Sequence, residues 1–200
     1  MIKEALSLIK DELNAFLGRK EPRYRDKETA VLSDIVDQQG ELVITRNDDT
    51  KRDNIIITLV NVEEETTGKA QLPYLKNPDN SVDIINPEIK LNLYVLFSAF
   101  STMDEKERYQ NCLWLISKVV GFFQQKPVFT HHNSPELDAG IDRLIAELVT
   151  LNLEQQNHLW GALGAKLLPH VLYKIRMLTI REVEEAPTAP FVKEIRMDGL

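Results

Sequence analysis

The clearest hydrophobic pattern in the chain lies between Asn86 and Phe100, in the stretch NPEIKLNLYVLFSAF. Apolar side chains occupy every second position there: Ile89, Leu91, Leu93, Val95 and Phe97. A period of two is typical of a β-strand with one buried face. The intervening positions carry mixed side chains: Lys90, Asn92, Tyr94, Leu96 and Ser98. We therefore predict a strand that organises the rest of the chain, with helices covering the sheet.

Two segments with apolar residues at helical spacing flank this strand. Residues Ile2 to Leu17 form the first predicted helix, with Gly18 as its stop. The second runs from Asp104 to Gln125, and its predicted buried side consists of Tyr109, Cys112, Leu113, Ile116, Val119, Val120 and Phe123. Gly121 costs about 1 kcal/mol relative to alanine inside a helix, so a close backbone approach is expected there.

A second long strand is predicted from Asn54 to Glu65, and it is apolar on both faces. Its odd positions Ile55, Ile57 and Leu59 point one way, and the other face holds Ile56, Val60 and Val62. Such a strand is expected at a central place in the sheet, covered on both sides. A short strand over Glu41 to Arg46 is expected to join it through an exposed hairpin loop, RNDDTKRDN.

The remaining regular elements lie in the second half of the chain. Short apolar runs predict strands at Val128 and Phe129, from Arg143 to Leu153, and from Val171 to Ile180. A brief helix from about Glu154 to Leu163, stopped by Gly164, separates the last two strands. If those strands are neighbours, Glu147 can pair with Lys174 or Arg176, at a gain of roughly 0.2 to 1 kcal/mol.

Two stretches lack a periodic pattern. Residues Thr66 to Asn86 hold Gly68, Pro73 and Pro78 among polar residues and are predicted to form a long irregular connection. Such a connection is either a binding segment, as is common in compact domains, or a plain surface loop. Residues 182–200 are acidic and then proline-bearing, and we interpret them as an extended arm that can add an edge strand to another chain. The predicted organisation is therefore one α/β domain over residues 1–181, followed by this arm.

Composition narrows the class of protein. A chain of 200 residues with 43% hydrophobic and 28% charged side chains fits one folded domain and excludes a wholly disordered protein. The formal charge of −7 argues against non-specific binding of nucleic acid, because such binding needs a basic surface that neutralises phosphates. The start MIKEALSLIKDELNAFL is charged throughout, and no apolar run reaches the roughly 18 residues of a membrane span. We therefore expect synthesis in the cytoplasm and no membrane partner.

The sequence contains none of the catalytic or phosphate-binding motifs that would indicate an enzyme. The phosphate-binding patterns GxxxxGKS/T and GxGxxG and the GxSxG elbow are absent from the sequence. His131 and His132 are adjacent, so they lack the i, i+4 spacing of a helical metal pair, and the single cysteine, Cys112, falls on an apolar helix stripe. The aromatic residues Trp114, Phe122, Phe123 and Trp160 are spaced for packing. We expect no enzyme activity, no cofactor and no metal.

Three stretches in this order carry a resemblance to a known family: PEIKLNLYVLFSAF, HLWGALGAKLLP and VLYKIRMLTI. The chain resembles the N-terminal domain of the cap, or tail-terminator, proteins of extracellular contractile injection systems of the antifeeding-prophage and virulence-cassette type. The family pattern maps onto Asn92 to Tyr94, Leu159 to Gly164, and Tyr173. Longer family members carry an additional C-terminal region, whereas this chain ends soon after its last predicted strand.

The resemblance implies a mostly antiparallel mixed sheet flanked by helices, and a structural role. Such a protein forms a homohexameric ring that stops growth of the inner tube and joins the tube protein to the sheath protein of a particle that can be released. We expect the contacts with tube, sheath or neighbouring subunits in the hairpin loop, the irregular connection and the arm. The candidate interface residues are Asp48, Asp49, Lys51, Arg52, Gly68, Gln71, Pro73, Tyr74, Phe191, Val192 and Ile195.

Three alternatives to a cap protein remain open from the sequence. Within the assembly class, a terminator or adaptor would contact the sheath alone. From another class, a small metal-dependent hydrolase would assemble its site from His131, His132 and Asp138. A nucleic-acid binder would use basic side chains in two regions: Lys51, Arg52, Lys174 and Arg176.

Overall fold

The computed structural model describes residues 1–37, 39–43, 53–65, 74–76, 82–84, 90–103 and 105–179. Its helices are α1 (Ile2–Lys20), α2 (Glu105–Gln125) and α3 (Leu153–Leu163), with a 3-10 turn at Pro22–Tyr24. Its strands are β1 (Ala30–Leu32), β2 (Asp53–Glu64), β3 (Tyr74–Lys76), β4 (Val82–Ile84), β5 (Lys90–Ser101), β6 (Val128–Thr130), β7 (Ile141–Val149) and β8 (His170–Thr179).

Six of these strands form one sheet in the order β1-β2-β5-β8-β7-β6. Only β1 and β2 run parallel, and the other neighbours are antiparallel. Strands β3 and β4 pair with each other separately. The fold is therefore the predicted mostly antiparallel mixed sheet flanked by helices. Strand β5 lies inside it, between β2 and β8, as its pattern predicts.

The odd side chains of β5 face α1 and α2, and this side is here named the two-helix face. Leu93, Val95 and Phe97 are fully buried there. The Phe97 ring meets Phe123 of α2 and Tyr173 of β8 at centroid distances of 5.3 and 5.8 Å. Edge-on aromatic contacts of this kind add to the gain from burial. This face holds the main hydrophobic core.

The opposite side, here named the α3 face, carries a smaller cluster. Its buried members are Ile35, Ile56, Leu96, Trp160 and Leu172, and many further side chains around them are only partly buried. The prediction that β2 is covered on both faces is confirmed, because Ile55 and Ile57 belong to the first cluster and Ile56 to the second. Helix α3 thus covers part of the mixed face of β5, where Trp160 packs in one cluster with Leu96.

The face assigned to Val62 is wrong. A bulge in β2 lets Leu59 pair with Val95 and Asn61 with Tyr94, so that Val60 is extra. One extra residue reverses the alternation of side chains beyond it. Val62 therefore pairs with Leu93 on the two-helix face, where it is partly exposed.

Helix α1 does not stop at Gly18 but continues to Lys20, and Glu21 is its C-cap. Arg19 and Lys20 occupy its last turn, where positive charge suits the negative end of the helix dipole. Gly18 instead permits a close approach, because a Cβ added there would lie 3.3 Å from the Cα of Arg25. The 3-10 turn that follows is thereby packed against the helix.

Helix α2 is rotated relative to the prediction. Tyr109 and Leu113 are 62% and 45% exposed, whereas Leu115 and Phe122 are buried. Apolar residues surround much of this helix, so its sequence fits more than one stripe, and packing of Phe122 against Phe16 and Phe129 selects this one. The close approach expected at Gly121 is also wrong, since no atom lies within 4 Å of a Cβ built there.

The predicted strand over Glu41 to Arg46 is reduced, in its described part, to one bridge between Val36 and Leu42. The partner of β2 on that side is β1, which pairs Ala30 with Ile55 in parallel. The predicted hairpin loop lies outside the described residues up to Arg52, and its last two residues, Asp53 and Asn54, begin β2. The prediction of an irregular connection over Thr66 to Asn86 is wrong for β3 and β4, which pair with each other. The rest of that connection lies outside the described residues.

The second half follows the prediction more closely. Gly164 ends α3 in a left-handed conformation with φ 67°. Strand β7 stops at Val149 rather than Leu153, because Asn152 caps α3 by accepting the N–H of Gln155 at 2.8 Å. Within the part of the chain that is described, no helix is long and apolar enough to span a bilayer.

Candidate interaction surfaces

The candidate interface residues fall almost entirely outside the described part of the chain. This holds for Asp48, Asp49, Lys51, Arg52, Gly68, Gln71, Pro73, Phe191, Val192 and Ile195. The exception is Tyr74, whose backbone begins β3 and pairs with Ile84 of β4. These assignments stay predictions, and the surfaces that the structure does describe were not singled out by the sequence.

A groove of about 510 Å³ lies at the end of β7, between α2 and the segment that leads into β8. Its exposed apolar side chains come from three elements: Tyr109 from α2, Leu148 from β7 and Leu167 from the segment after α3. They are 62%, 56% and 60% exposed. We name this surface the β7 groove. Large apolar side chains gathered in one groove mark a place where another molecule can be buried.

The sheet edge beside this groove is open. Strand β6 covers β7 only from Arg143 to Ile145, and the next contact is the Ala146 N–H, which donates to the Pro127 carbonyl at 2.8 Å. Backbone groups two residues apart on a strand point the same way, so those of Leu148 face this edge too. No residue in the described ranges pairs with Leu148 there. The β7 groove therefore combines apolar side chains with unpaired strand backbone.

His170 lines the β7 groove and is hydrogen-bonded to Trp160 of α3. The Nδ1 of His170 lies 2.9 Å from the Leu168 carbonyl, and the indole N–H of Trp160 points to His170 Nε2 at 3.5 Å. A carbonyl only accepts and an indole N–H only donates, which assigns the Nδ1-protonated neutral tautomer. The His170 ring thereby links Trp160 of α3 to the start of β8.

A second cavity, of about 520 Å³, lies between α1 and the end of α2. Its lining includes Glu12, Lys126, Asn133 and Ser134, which are hydrogen-bonded to one another. The Lys126 ammonium donates to both oxygens of Glu12, at 2.8 and 2.6 Å, and to the Asn133 carbonyl and the Ser134 hydroxyl. Ser134 in turn donates to Glu12 at 2.6 Å. We interpret this cluster as a structural link between α1, α2 and the turn after β6.

A third polar cluster lies under the 3-10 turn. The Tyr24 hydroxyl donates to Asp53 at 2.8 Å, and Ser101 donates to the same carboxylate at 2.6 Å. Two effects raise the pKa of the Tyr24 phenol: burial, which is the larger, and the hydrogen bond to Asp53. Burial also raises the pKa of the nearby Cys112 thiol, which holds it in the unreactive protonated form. The prediction of a buried structural cysteine is confirmed.

The residues of the hydrolase alternative are not arranged as a metal site. His131 and His132 are exposed, and Asp138 accepts the Gly140 N–H at 2.8 Å. No group of three His, Cys, Asp or Glu side chains in the described ranges is placed to hold a metal ion. For the nucleic-acid alternative, Arg176 already pairs with Glu147 at 3.3 Å, as the neighbouring strands predict.

Comparison with known proteins places the chain in a family. The family model described as the Pvc16 N-terminal domain matches residues 5–194. No curated protein sequence matches the chain. Among solved structures, the fold is similar to the sheath/tube terminator of an extracellular contractile injection system, in its extended state, with a TM-score of 0.57 and 9% identity. It is also similar to the tube-terminating cap of the anti-feeding prophage, with a TM-score of 0.54 and 11% identity.

These similarities extend over nearly the whole chain but not over the whole of the other proteins. They cover 100% and 94% of this chain, and 64% and 59% of the terminator and the cap, respectively. At such low identity they show a shared fold. Because the family model spans nearly all of the residues, the chain belongs to the Pvc16 N-terminal domain family.

Proposed function

We propose that this chain is a structural component of a phage-tail-like contractile injection particle, where it terminates the inner tube and links it to the sheath. The observation that carries the proposal is the family match over residues 5–194. The fold similarity to a sheath/tube terminator and to a tube-terminating cap supports the same role. The chain acts without a cofactor and without chemistry of its own.

The working form in this proposal is a ring of six copies. A ring uses two different surfaces on each subunit, one for each neighbour. The exposed apolar side chains of the β7 groove, Tyr109, Leu148 and Leu167, support a need for such a neighbour. The chain is made in the cytoplasm and becomes part of the particle, with the tube protein and the sheath protein as its further partners.

The ring is tested by the mass of the purified protein in solution. Six copies of the 23.0 kDa chain give about 138 kDa by light scattering, and negative-stain images of the same peak would show closed rings. A mass of one chain at all accessible concentrations, together with no ring on isolated tubes, would contradict the six-copy form.

The terminator role is tested by particle length and by binding. Particles assembled without this chain are expected to carry tubes of broad length distribution, and tubes of defined length return when the chain is supplied. In pull-down experiments the chain is expected to retain both tube and sheath protein. Retention of sheath alone would instead support the sheath-only adaptor, and retention of neither would reject both roles.

A further inference from the structure

The open edge of β7 is shaped for an extended chain. An incoming strand can pair with the backbone of Leu148 where β6 no longer covers β7. The groove beside this edge is lined by Tyr109 and Leu167, which apolar side chains of that strand can contact. Addition of a strand at a sheet edge uses backbone hydrogen bonds for affinity and side-chain pockets for specificity. The occupant is therefore expected to be a short segment with strand-forming apolar residues.

The chain itself contains such a segment. In the arm, Phe191, Val192 and Ile195 supply aromatic and β-branched side chains typical of strands. Pro190 directly precedes them, and a proline lacks the N–H that a ladder needs, so the pairing segment begins after it. These residues lie outside the described part of the structure, and their pattern comes from the sequence.

The direction of the chain favours a neighbour over self-docking. Strand β8 ends at Thr179, which pairs with Ile141 at the far end of β7 from Leu148. Strand β6 covers the edge between these two points, at Arg143 to Ile145. A segment returning to Leu148 of its own copy would have to pass over β6. The residues from Thr179 to Phe191 span at most about 40 Å when extended, which exceeds the roughly 30 Å diameter of a small domain.

We propose that the β7 groove of each subunit receives the arm of a second copy of this chain, which pairs with β7 at Leu148. The inference rests on the proposed ring, because groove and arm are two different surfaces that repeat from subunit to subunit and close on rotation. It assigns the subunit contact to Leu148 and Tyr109 on one copy and to Phe191 through Ile195 on the next.

The test uses two full-length variants that carry different tags. One has Leu148→Cys, and the other has either Phe191→Cys or Val192→Cys, since neighbouring strand residues point to opposite faces and one of them shares the side of Leu148. Mixed and treated with a short thiol cross-linker, they are expected to form a covalent dimer at least about tenfold more than a Leu153→Cys control, because docking raises the effective concentration. Leu153 is 86% exposed and lies outside the groove.

Two results of this experiment would overturn the proposal. The first is equal cross-linking of Leu148→Cys and Leu153→Cys with both arm variants. The second is a product within one chain when Leu148→Cys and an arm cysteine are combined in the same copy, because the arm would then dock on its own subunit. Cys112 is buried and present in every variant, so it adds the same background to all of them.

A backbone substitution separates this inference from the proposed function. Leu148→Pro removes the outward N–H but spares the bonds from β7 to β8, which the alternate residues Glu147 and Val149 make. Ring mass is expected to fall to that of single chains, while Leu153→Pro at the start of α3 leaves the ring intact. A Leu148→Pro protein that still forms rings and caps tubes would overturn the docking site alone. Failure of wild-type protein to bind tube or sheath would instead reject the proposed function.

Discussion

The two faces of the six-stranded sheet are covered to very different extents. On the two-helix face, α1 and α2 bury side chains from β2, β5, β7 and β8 in one continuous cluster rich in phenylalanine. On the α3 face, a few buried side chains are surrounded by many that are only partly buried. The first face is therefore the scaffold of the subunit, and the second is a thinner layer.

Phe97→Ala tests the first face and has the largest expected effect. Phe97 is fully buried and contacts Phe123 and Tyr173. Removing its ring should lower the free energy of unfolding by about 3 to 5 kcal/mol. Denaturant unfolding followed by circular dichroism measures this loss. A loss below that of Leu96→Ala would contradict the assignment of the scaffold to this face.

Leu96→Ala is the matched change on the second face. Leu96 precedes Phe97 on β5, points to the opposite side and is equally buried. We expect a loss of about 2 to 3 kcal/mol, because the partly exposed side chains around it can close into the space. The double variant should show additive losses within about 0.5 kcal/mol, since the two side chains lie on opposite faces. Strong coupling would indicate that the two layers act as one core.

Glu12→Gln tests the polar link that closes the two-helix face. The substitution keeps the shape but removes the negative charge that accepts from Lys126 and Ser134. The expected loss in the free energy of unfolding is about 1 to 2 kcal/mol. Adding Lys126→Met should recover part of this loss, because the unpaired ammonium is then absent as well. An unchanged stability of Glu12→Gln would show that solvent already satisfies these groups.

The smallest expected effect is a dependence of stability on alkaline pH. The pKa of Cys112 is raised in the folded state, chiefly by burial, from an ordinary value of 9.0. Below 9.0 the thiol is protonated in both states, and above it the unfolded chain ionises first, so stability falls as pH rises toward the folded pKa. The pKa of Tyr173 is raised by burial and adds a decline of the same sign at higher pH.

Cys112→Ala isolates the cysteine contribution in this pH series. The difference in unfolding free energy between wild type and Cys112→Ala should shrink as pH rises above 9.0, because only the wild type loses the preference for a protonated thiol. Guanidinium unfolding at neutral and alkaline pH measures it. A difference that stays constant would show that the thiol is not insulated from solvent.

The sequence predicts the elements whose pattern is long and unambiguous. Strand β5 shows its period of two over many residues, and Gly164 has one structural role at the end of α3. Strand β1 is missed, because three residues carry too short a pattern, and its pairing of Ala30 with Ile55 depends on a distant segment. The stripe of α2 is misplaced because tertiary packing of Phe122, not spacing alone, chooses among several apolar sides.

Interaction surfaces are harder to read than cores. The sequence predicts contacts in polar loops and in the arm, because these segments lack a structural pattern of their own. The sequence does not indicate the β7 groove, because Tyr109 and Leu148 lie in apolar patterns typical of core residues, although both are exposed. The uncovered edge at Leu148 follows from the short length of β6, which pairs with β7 only from Arg143 to Ile145. A mismatch in strand length across a sheet has no local signature in the chain.

The bulge at Val60 gives strand β2 two independent halves. Up to Leu59 the strand matches its apolar positions to the core, and beyond it Asn61 and Glu63 turn to the side of Tyr94, whose hydroxyl donates to Glu63 at 3.0 Å. One added residue thus shifts the alternation of side chains along the strand by one position. The inner half of β2 therefore contributes apolar side chains to the core, while the outer half contributes polar contacts to β5.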